Sequence, residues 1–414
     1  MTITINNKNK KPNVPNLRFK EFQGEWKEST IGEMFDLYSG NTPSRLNKEH
    51  FKGTVNWISS GELKEHYIYS SKEQISEEAA KSLKLLPVGT FVIAIYGLEA
   101  EGVRGTGSIT QEPSTISQAC MSFIPKGVIE NEFLYSWYKK HGNVIGIRYA
   151  QGTKQQNLSY DILEKFRIAY PNTKEQEKLN KFISLLDERI ATQSKIIDSL
   201  QTLIKGIADN ILDNPLWEKT YLRSFMQFFS TNSLSWEQLS YEDGKIRNLH
   251  YGLIHSFQTS GINSASLPMV KYGAIPKQYT LCQVGDVAFA DASEDTNEIG
   301  KSVEFVDTID VDTICGLHTI HGRDVKNKTL VGFKGFAFNS RYFHNQIKRL
   351  AQGTKVFSIT ANNLSSCYVY LPDLETQKAI VNLLKTYEAK LLVSKRLLEH
   401  YEKQKQYLLC QMFI

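Results

Sequence analysis

Four residues near the end of the chain have the types and spacing of a metal-dependent nuclease site. Pro372 and Asp373 precede Glu388 and Lys390, and carboxylates at such a spacing can hold Mg²⁺ for phosphodiester hydrolysis. That chemistry needs the Glu and the Lys side by side on a strand, whereas both residues fall within a helical heptad pattern. The sequence therefore argues against a nuclease site here.

Two other segments carry side chains that could do chemistry. Residues 214–217 read Asn-Pro-Leu-Trp, which is similar to the box of adenine methyltransferases but lacks its second proline, and no Gly-rich motif for a methyl donor precedes it. Cys315, His318 and His321 are residue types that bind Zn²⁺, but their spacing is too tight for a zinc finger and no second ligand pair follows. The preferred interpretation is one strand through Cys315 and His321, and no metal site is predicted.

Other catalytic signatures are missing from the sequence. It has neither a G-x-x-x-x-G-K-[ST] phosphate loop nor a strand-linked G-x-G-x-x-G motif. Nothing supplies a nucleophile with a base and an orienting acid. The sequence therefore predicts a protein that binds without catalysis of its own. A stand-alone nuclease or adenine methyltransferase, and a coiled-coil protein-binding scaffold, are the alternatives.

The composition is that of a globular protein. The chain has 414 residues, with 49 Lys and Arg against 44 Asp and Glu, which gives a formal net charge of +5. This length predicts two or three domains. The longest apolar run, 88–98, is shorter than the ~18 residues of a membrane span. The five Cys residues are scattered, and no secretory signal is recognisable, so we expect a cytoplasmic protein without a disulfide framework.

The chain contains an internal duplication. The pentapeptide Ala-Gln-Gly-Thr-Lys at 150–154 recurs at 351–355, and the offset of 201 then holds without a gap to the end of the chain. Upstream the two halves match only weakly, at offsets of 191 and 196. Each copy thus has one segment that matches the other copy closely and one that has diverged from it. This indicates a common structural frame that carries two different recognition surfaces.

The kept segment has the pattern of a long helix with a heptad seam. Apolar residues recur at steps of three and four, and one polar position, Gln193 or Ser394, interrupts each copy at the same place. Each helix is predicted to run about 33 residues, or roughly 50 Å. Because a duplication favours a pseudo-two-fold axis, we expect an antiparallel coiled coil. The predicted seam positions are Leu179, Ile183, Leu186, Ile190, Gln193, Ile197, Leu200, Ile204, Ile380, Leu384, Tyr387, Leu391, Ser394, Leu398 and Tyr401.

The diverged segments read as mixed α/β domains, so the predicted fold class is α+β. Short β-branched or aromatic runs predict strands at 91–95, 119–123, 286–289 and 302–306, and helical patterns cover 76–86, 132–141 and 341–352. The predicted organisation is an N-terminal arm (1–25), a first domain (26–172), a first long helix (173–213), a second domain (214–372) and a second long helix (373–414).

The order of several motifs resembles the specificity subunit of type I restriction-modification enzymes over nearly the whole chain. These motifs lie at 40–45, 57–63, 86–90, 117–120, 151–158, 171–179 and 246–255. One departure is that the second copy reads Glu375-Thr376-Gln377 where the first has paired Glu and Gln. The resemblance implies two target recognition domains in tandem repeat, separated by two long helices packed as an antiparallel coiled coil.

The resemblance also implies partners and a division of labour. Each domain would bind one half of a bipartite double-stranded DNA target, and the helices would set the gap between the half-sites. The chain would recruit two modification (methyltransferase) subunits and, through them, two restriction subunits. S-adenosylmethionine, ATP and Mg²⁺ would act in those partners, and no cofactor is expected in this chain.

Basic and amide side chains in loops are the candidates for DNA contact. Arg and Lys can pair with guanine, and Asn and Gln with adenine. The predicted DNA-binding residues are Arg45, Lys48, Lys52, Arg104, Lys154, Gln155, Gln156 and Asn157 in the first domain, and Lys245, Arg247, Asn248, Lys277, Lys301 and Lys355 in the second.

Overall fold

The computed structural model describes residues 12–100, 102–152, 154–256, 260–307 and 309–414. Residues 1–11 of the predicted N-terminal arm lie outside this part of the chain. The chain forms two compact units, the first made of two segments and the second of one. Unit 1 comprises Met1–Gln193 with Leu397–Ile414, and unit 2 comprises Ser194–Arg396.

Unit 1 is built on a five-stranded sheet whose faces bury apolar side chains. Its strand order is Phe35–Ser39, Cys120–Pro125, Phe91–Ala94, Gly107–Thr110 and Tyr67–Ile68, with a parallel pair only at the last position. The strands Glu73–Ile75, Val55–Ile58 and Ser114–Ile116 form a second sheet, and Lys27–Thr30 pairs with Arg167–Tyr170. The helices of this domain are Ile31–Met34, Glu77–Lys81, Asn131–Tyr149 and Tyr160–Leu163.

Unit 2 repeats this plan with a different sequence. Its five-stranded sheet has the order Met226–Phe229, Thr319–Asp324, Val287–Ala290, Ser302–Phe305 and Gly261–Ile262. A second sheet has the order Leu239–Ser240, Met269–Val270, Ile246–Leu249 and Thr313–Cys315. Two further sheets have two strands each: Glu218–Tyr221 pairs with Tyr368–Leu371, and Ala292–Ser293 pairs with Phe357–Ser358. The helices are Tyr251–Ser256, Phe333–Ala337, Arg341–Leu350 and Ala361–Ser366. The α+β class and the repeated domain are confirmed.

Both units use the same connectivity in the five-stranded sheet. In each, the third strand in sheet order pairs with two antiparallel neighbours, and a two-residue strand adds in parallel at one edge. The buried face is apolar in both, with Phe91 in unit 1 and Phe289 in unit 2 fully buried. The diverged sequences have therefore kept the fold, because strand pairing depends on the apolar pattern more than on residue identity.

Two long helices, Thr173–Leu212 and Leu374–Met412, follow the domains of the repeat. They are 40 and 39 residues long, against the ~33 predicted, because polar side chains start each helix ahead of the heptad seam. Asn172 accepts a hydrogen bond from the backbone N–H of Glu175, and Asp373 accepts one from that of Thr376. These caps stand directly after the two prolines at 171 and 372.

The start of each long helix is fixed by one buried glutamine. Gln176 accepts a hydrogen bond from the N–H of Glu130 and donates to the carbonyl groups of residues 128 and 171. Gln377 accepts from the N–H of Leu330 and donates to those of residues 328 and 372. The split Glu-Gln pair of the second copy therefore leaves this contact intact.

The long helices run antiparallel to each other inside each unit. In unit 1 the ammonium of Lys405 bonds to Asp187, and the guanidinium of Arg189 lies 4.3 Å from the centre of the Tyr401 ring. In unit 2 the end of the first long helix and the start of the second share one apolar cluster. Each predicted seam position is buried or half-buried. The packing of the two helices against each other is as expected, because neither can bury its apolar stripe alone.

Some local predictions need correction. The segment 315–321 is not one strand: Thr313–Cys315 ends, the chain turns through His318 at φ 54°, and Thr319–Asp324 joins the other sheet. The helix predicted at 76–86 ends at Lys81, since Leu86 pairs with Ser114. The helix predicted at 132–141 extends to Tyr149, with Gly142 and Gly146 at close contacts with the segment 102–105. No helix among the described residues is both long and apolar enough to span a membrane.

Candidate nucleic-acid interface

The repeated pentapeptide forms a tight backbone turn. Gly152 has φ +115° and Gly353 has φ +129°, and a Cβ at either position would lie 2.0 Å from a backbone carbonyl oxygen. Backbone bridges close both turns, Gln151 to Asn157 in unit 1 and Gln352 to Ser358 in unit 2. Only glycine fits this conformation and this space, which explains why both copies keep it.

In unit 1 this turn packs against the loop that follows the strand Phe91–Ala94. Tyr96 and Asn157 form a backbone bridge, and the N–H of Leu98 donates to the carbonyl of Gln156 (3.1 Å). Arg104 donates to the side-chain oxygen of Gln156 at 3.0 Å. The backbone N–H of Gln156 also donates to the carboxylate of Glu99 and lowers its pKa. We call this surface the ladder face of unit 1, defined by residues 95–100, 102–104, 151–152 and 154–160.

The ladder face contains a cleft of about 480 Å³. Tyr96 and Tyr160 line it and are 39% and 44% exposed. Asn157 lines it as well, and its buried Oδ1 has no hydrogen-bond partner among the described residues. Tyrosine rings can stack on bases, and an asparagine amide can pair with adenine, so this cleft has the groups that a DNA-reading surface needs.

Unit 2 has the same backbone at this place but different side chains. Ala292 pairs with Ser358 as Tyr96 pairs with Asn157, and Ala361 occupies the position of Tyr160 at the offset of 201. The imidazole of His318 donates to the carboxylate of Asp291 at 3.1 Å. The N–H of Asp291 donates to the carbonyl of His318 as the N–H of Ile95 donates to that of Ala119. Two apolar residues of unit 1 are therefore replaced in unit 2 by a hydrogen-bonded His–Asp pair. The ladder face of unit 2 comprises residues 291–292, 318 and 352–361.

The structure places five predicted DNA-binding residues of unit 1 on its ladder face. Lys154 and Gln155 are exposed there, whereas Arg104, Gln156 and Asn157 are half-buried. The others, Arg45, Lys48 and Lys52, lie together near the three-stranded sheet. Arg45 donates two hydrogen bonds of 2.7 Å to Glu73, which lower the pKa of that carboxyl, and its guanidinium lies 4.4 Å from the centre of the Phe51 ring. Lys52 pairs with Glu49.

The predicted residues of unit 2 are scattered over several elements. Lys245 is exposed directly before the strand Ile246–Leu249, and Arg247 is half-buried within that strand. Lys277 is exposed in a loop. Lys355 is exposed on the ladder face.

Two predicted residues of unit 2 are engaged within the fold. Asn248 has no exposed surface, and its Oδ1 accepts a hydrogen bond from the side-chain amide of Asn232 at 3.0 Å. Lys301 donates to the backbone carbonyl of His255 (3.0 Å) and pairs with Glu298. Both would have to give up these contacts before binding DNA.

The geometry disfavours the nuclease and methyltransferase alternatives. Asp373 caps the second long helix and Glu388 lies fifteen residues along it, which places them about 22 Å apart on the axis. Glu388 accepts the backbone N–H of Ser260 (2.8 Å), and burial raises its pKa despite that bond. Asn214 closes a turn by accepting the N–H of Leu216. Neither set of residues converges on a reacting group.

Sequence reasoning missed the residues that differ most between the ladder faces. Tyr96, Tyr160, Asp291 and His318 were not among the predicted contacts. A signal was present, because the run of identical residues ends directly after 154 and 355, and only two of the next eighteen positions, up to the start of the long helices, are identical between the copies. A sharp change of side chains beside a kept turn indicates a surface that has diverged on a fixed backbone.

Comparison with known proteins gives a family model and several relatives. The model of the type I restriction modification DNA specificity domain matches residues 23–202 and 267–402. A specificity subunit of a type I restriction enzyme from Methanocaldococcus jannaschii, MjaIX, is 28% identical over 45% of this chain and 43% of its own length. The EcoR124I/EcoR124II specificity subunit of Escherichia coli is 31% identical over 41% of this chain and 43% of its own length. These two alignments thus span less than half of each relative.

Other similarities extend over nearly the whole chain. The MjaVIII specificity subunit of M. jannaschii is 22% identical over 94% of this chain and 93% of its own length. The solved S subunit of a type I restriction-modification system from M. genitalium has a TM-score of 0.55 at 16% identity, over 97% of this chain and 99% of that one. A chain solved in work on assembly of the type I R-M system has a TM-score of 0.59 at 14% identity, over 93% and 96%. At such identities the structures establish the fold.

Proposed function

Because the chain belongs to the family of type I restriction modification DNA specificity domains, we propose that it is the DNA specificity subunit of a type I restriction-modification complex. Each unit binds one half-site of a bipartite double-stranded DNA target. The chain supplies recognition and contributes no catalytic step of its own.

One observation carries this proposal: two units whose five-stranded sheets have the same strand order present different side chains on the same backbone turn. A cleft of Tyr96, Asn157 and Tyr160 in unit 1 corresponds to Ala292, Ser358 and Ala361 in unit 2. Two recognition domains that share one fold but differ in surface chemistry suit a DNA target whose two halves differ in sequence. Exposed Lys154 and Lys355 stand beside these surfaces, where phosphate contacts can set the register.

We further propose that the long helices set the gap between the half-sites. Helices of 40 and 39 residues are about 60 Å long. Their buried heptad seam makes them stiffer than a loop of the same number of residues. A bipartite target needs such a fixed spacing, because half-sites one DNA turn apart are ~34 Å from each other.

The partners and cofactors follow from this assignment. Duplication offers two similar docking surfaces, which suits two modification subunits and, through them, two restriction subunits. S-adenosylmethionine, ATP and Mg²⁺ then belong to those subunits, which act on DNA in the cytoplasm. The described residues of this chain offer no converging set of catalytic groups at the sites considered above.

The test is methylation mapping in cells that express this chain with its methyltransferase subunit. The wild type is expected to give one bipartite motif. The triple variant Tyr96→Ala, Asn157→Ser, Tyr160→Ala is expected to alter or relax one half of the motif and to leave the other half unchanged. A matched control, Tyr272→Ala, removes a tyrosine that is 66% exposed in unit 2 and should leave the first half as it was.

Two outcomes would count against the proposal. A motif with both halves unchanged in the triple variant removes the ladder face from recognition. DNA affinity that does not fall as salt rises supports the protein-binding scaffold instead, since neutralised phosphates release counterions.

A further inference from the structure

Two cysteines and a histidine converge inside unit 2, although they are far apart in sequence. Cys282, Cys315 and His321 are 6%, 3% and 1% exposed. The two Sγ atoms are 3.5 Å apart, and one potential ligand atom from each of the three residues lies within 4.8 Å of the others. The turn at 316–318 produces this arrangement, because it carries Cys315 and His321 onto strands of different sheets.

The spacing fits a tetrahedral zinc ion. With Zn–S bonds of about 2.3 Å and tetrahedral angles, two thiolates stand roughly 3.8 Å apart. The observed sulfur separation needs a change of only a few tenths of an ångström. Thiolate and imidazole together are the ligand types that select zinc over Mg²⁺ or Ca²⁺.

The histidine is oriented for this role by a buried carboxylate. The Nε2–H of His321 donates to Asp286 at 2.7 Å, which leaves Nδ1 with the lone pair that can bind a metal. Arg323 holds the same carboxylate with two hydrogen bonds of 2.8 and 2.7 Å. A carboxylate behind a ligating histidine is a recurrent feature of zinc sites, where it fixes the ring and raises its basicity.

A fourth ligand can come from solvent. A cavity of about 210 Å³ adjoins Cys315 and His321 and is lined by the hydroxyl and amide groups of Ser230, Thr231, Asn232 and Thr280, among others. This volume accommodates several waters, and its polar walls can hold them. Three protein ligands and one water complete four-coordination.

The same positions in unit 1 carry no metal ligands. The bond from the N–H of Cys282 to residue 313 repeats that from Leu86 to residue 114. By the strand registers, Cys315 then corresponds to Ile116 and His321 to Ser122. Leu86 and Ile116 are buried core residues, so a simple packing role is filled by aliphatic side chains in one copy of the fold.

We propose that Cys282, Cys315 and His321 bind one zinc ion, with a water from the adjoining cavity as fourth ligand. The ion ties the two sheets of unit 2 together beneath its variable surface. It has a structural role and takes no part in methyl transfer or DNA cleavage.

The experiment measures metal in the full-length chain, purified under reducing conditions, loaded with zinc and passed through a desalting column. Mass spectrometry of the elements is expected to find one zinc per chain. Replacement by cobalt is expected to give a thiolate-to-cobalt charge-transfer band. Cys282→Ser and His321→Ala should each lose both signals. Cys367→Ser is the matched control, since it alters another buried thiol of unit 2 and should keep both.

A second measurement does not depend on the folding of a variant. A chelator should lower the melting temperature of the wild-type chain; where Cys282→Ser folds, its melting temperature should not change. No stoichiometric metal in the wild type overturns the proposal, as does metal that persists in Cys282→Ser. A count of three free thiols in place of five also overturns it when the unreduced chain is denatured in the presence of a chelator, because released zinc ligands then react and only a Cys282–Cys315 disulfide stays hidden.

Discussion

Replacing Lys334 by Met should strongly destabilise unit 2. Lys334 and Glu304 are 2% and 0% exposed, and their charged atoms are 2.9 Å apart. Thr329 also accepts a hydrogen bond from the ammonium, and the N–H of Gly335 donates to the other carboxylate oxygen. Without the ammonium, a buried carboxylate keeps one backbone donor, and removal of one partner from such a pair costs about 3–5 kcal/mol.

The double variant Lys334→Met, Glu304→Gln separates the lost pair from lost packing. Glutamine removes the charge and still accepts the N–H of Gly335, so the double variant should recover more than half of the loss. Unit 1 indicates that an apolar pair is tolerated here. The strand registers equate Glu304 with the buried Ile109. Lys334 corresponds to the buried Leu134, because each lies four residues after the N–H that the helix-start glutamine accepts.

Hydrogen–deuterium exchange of full-length protein reports this difference unit by unit. A loss of about 3 kcal/mol in the stability of unit 2 should lower the exchange protection of its core amides by a hundredfold or more in Lys334→Met. Peptides of the unit 1 sheet serve as the internal control and should change far less. The reasoning is refuted if Lys334→Met leaves protection unchanged, or if the double variant is less stable than the single one.

Three further predictions concern a turn, a buried histidine and the long helices. Gly353→Ala should lower the free energy of unfolding by more than about 1 kcal/mol, because the φ of Gly353 is +129° and an added Cβ would meet a backbone carbonyl. Gly206→Ala, with open space around the added Cβ, should raise the free energy of unfolding by about 0.5–1 kcal/mol. Equal effects of the two variants in thermal melts would contradict this. Burial lowers the pKa of His66, but its bonds to Asp187 and Glu132 outweigh burial and raise the pKa overall. The stability that protonated His66 contributes to unit 1 should therefore be complete below about pH 6.5 and should be lost as the pH rises through the folded-state pKa. Melting curves of His66→Phe across that range should lack this loss; an identical pH dependence would argue that other groups cause it. Inserting one heptad into both long helices should widen the methylated gap by about 10 Å, near three base pairs, with unchanged half-sites, and an unaltered gap would falsify the spacer role.

The sequence alone determined the parts of this protein that depend on local periodicity. The duplication, the two long helices and their apolar seam were all readable, because a heptad pattern and a capping residue act within a few turns of one helix. The α+β character of the domains was readable because short runs of β-branched and aromatic residues mark strands locally. The pentapeptide was readable only as a repeat, and the structure explains its glycine by a positive φ in both copies.

Tertiary structure decided what depends on strand pairing. Cys282 and Cys315 are 33 residues apart, and the helix-to-sheet pair of Glu304 and Lys334 is separated by 30. The ladder faces likewise join residues near 96 and 157, or 292 and 358. Their register comes from the packing of whole sheets, and no short pattern encodes it. For that reason the sequence could suggest that two recognition surfaces exist, and only the folded chain shows which side chains form them.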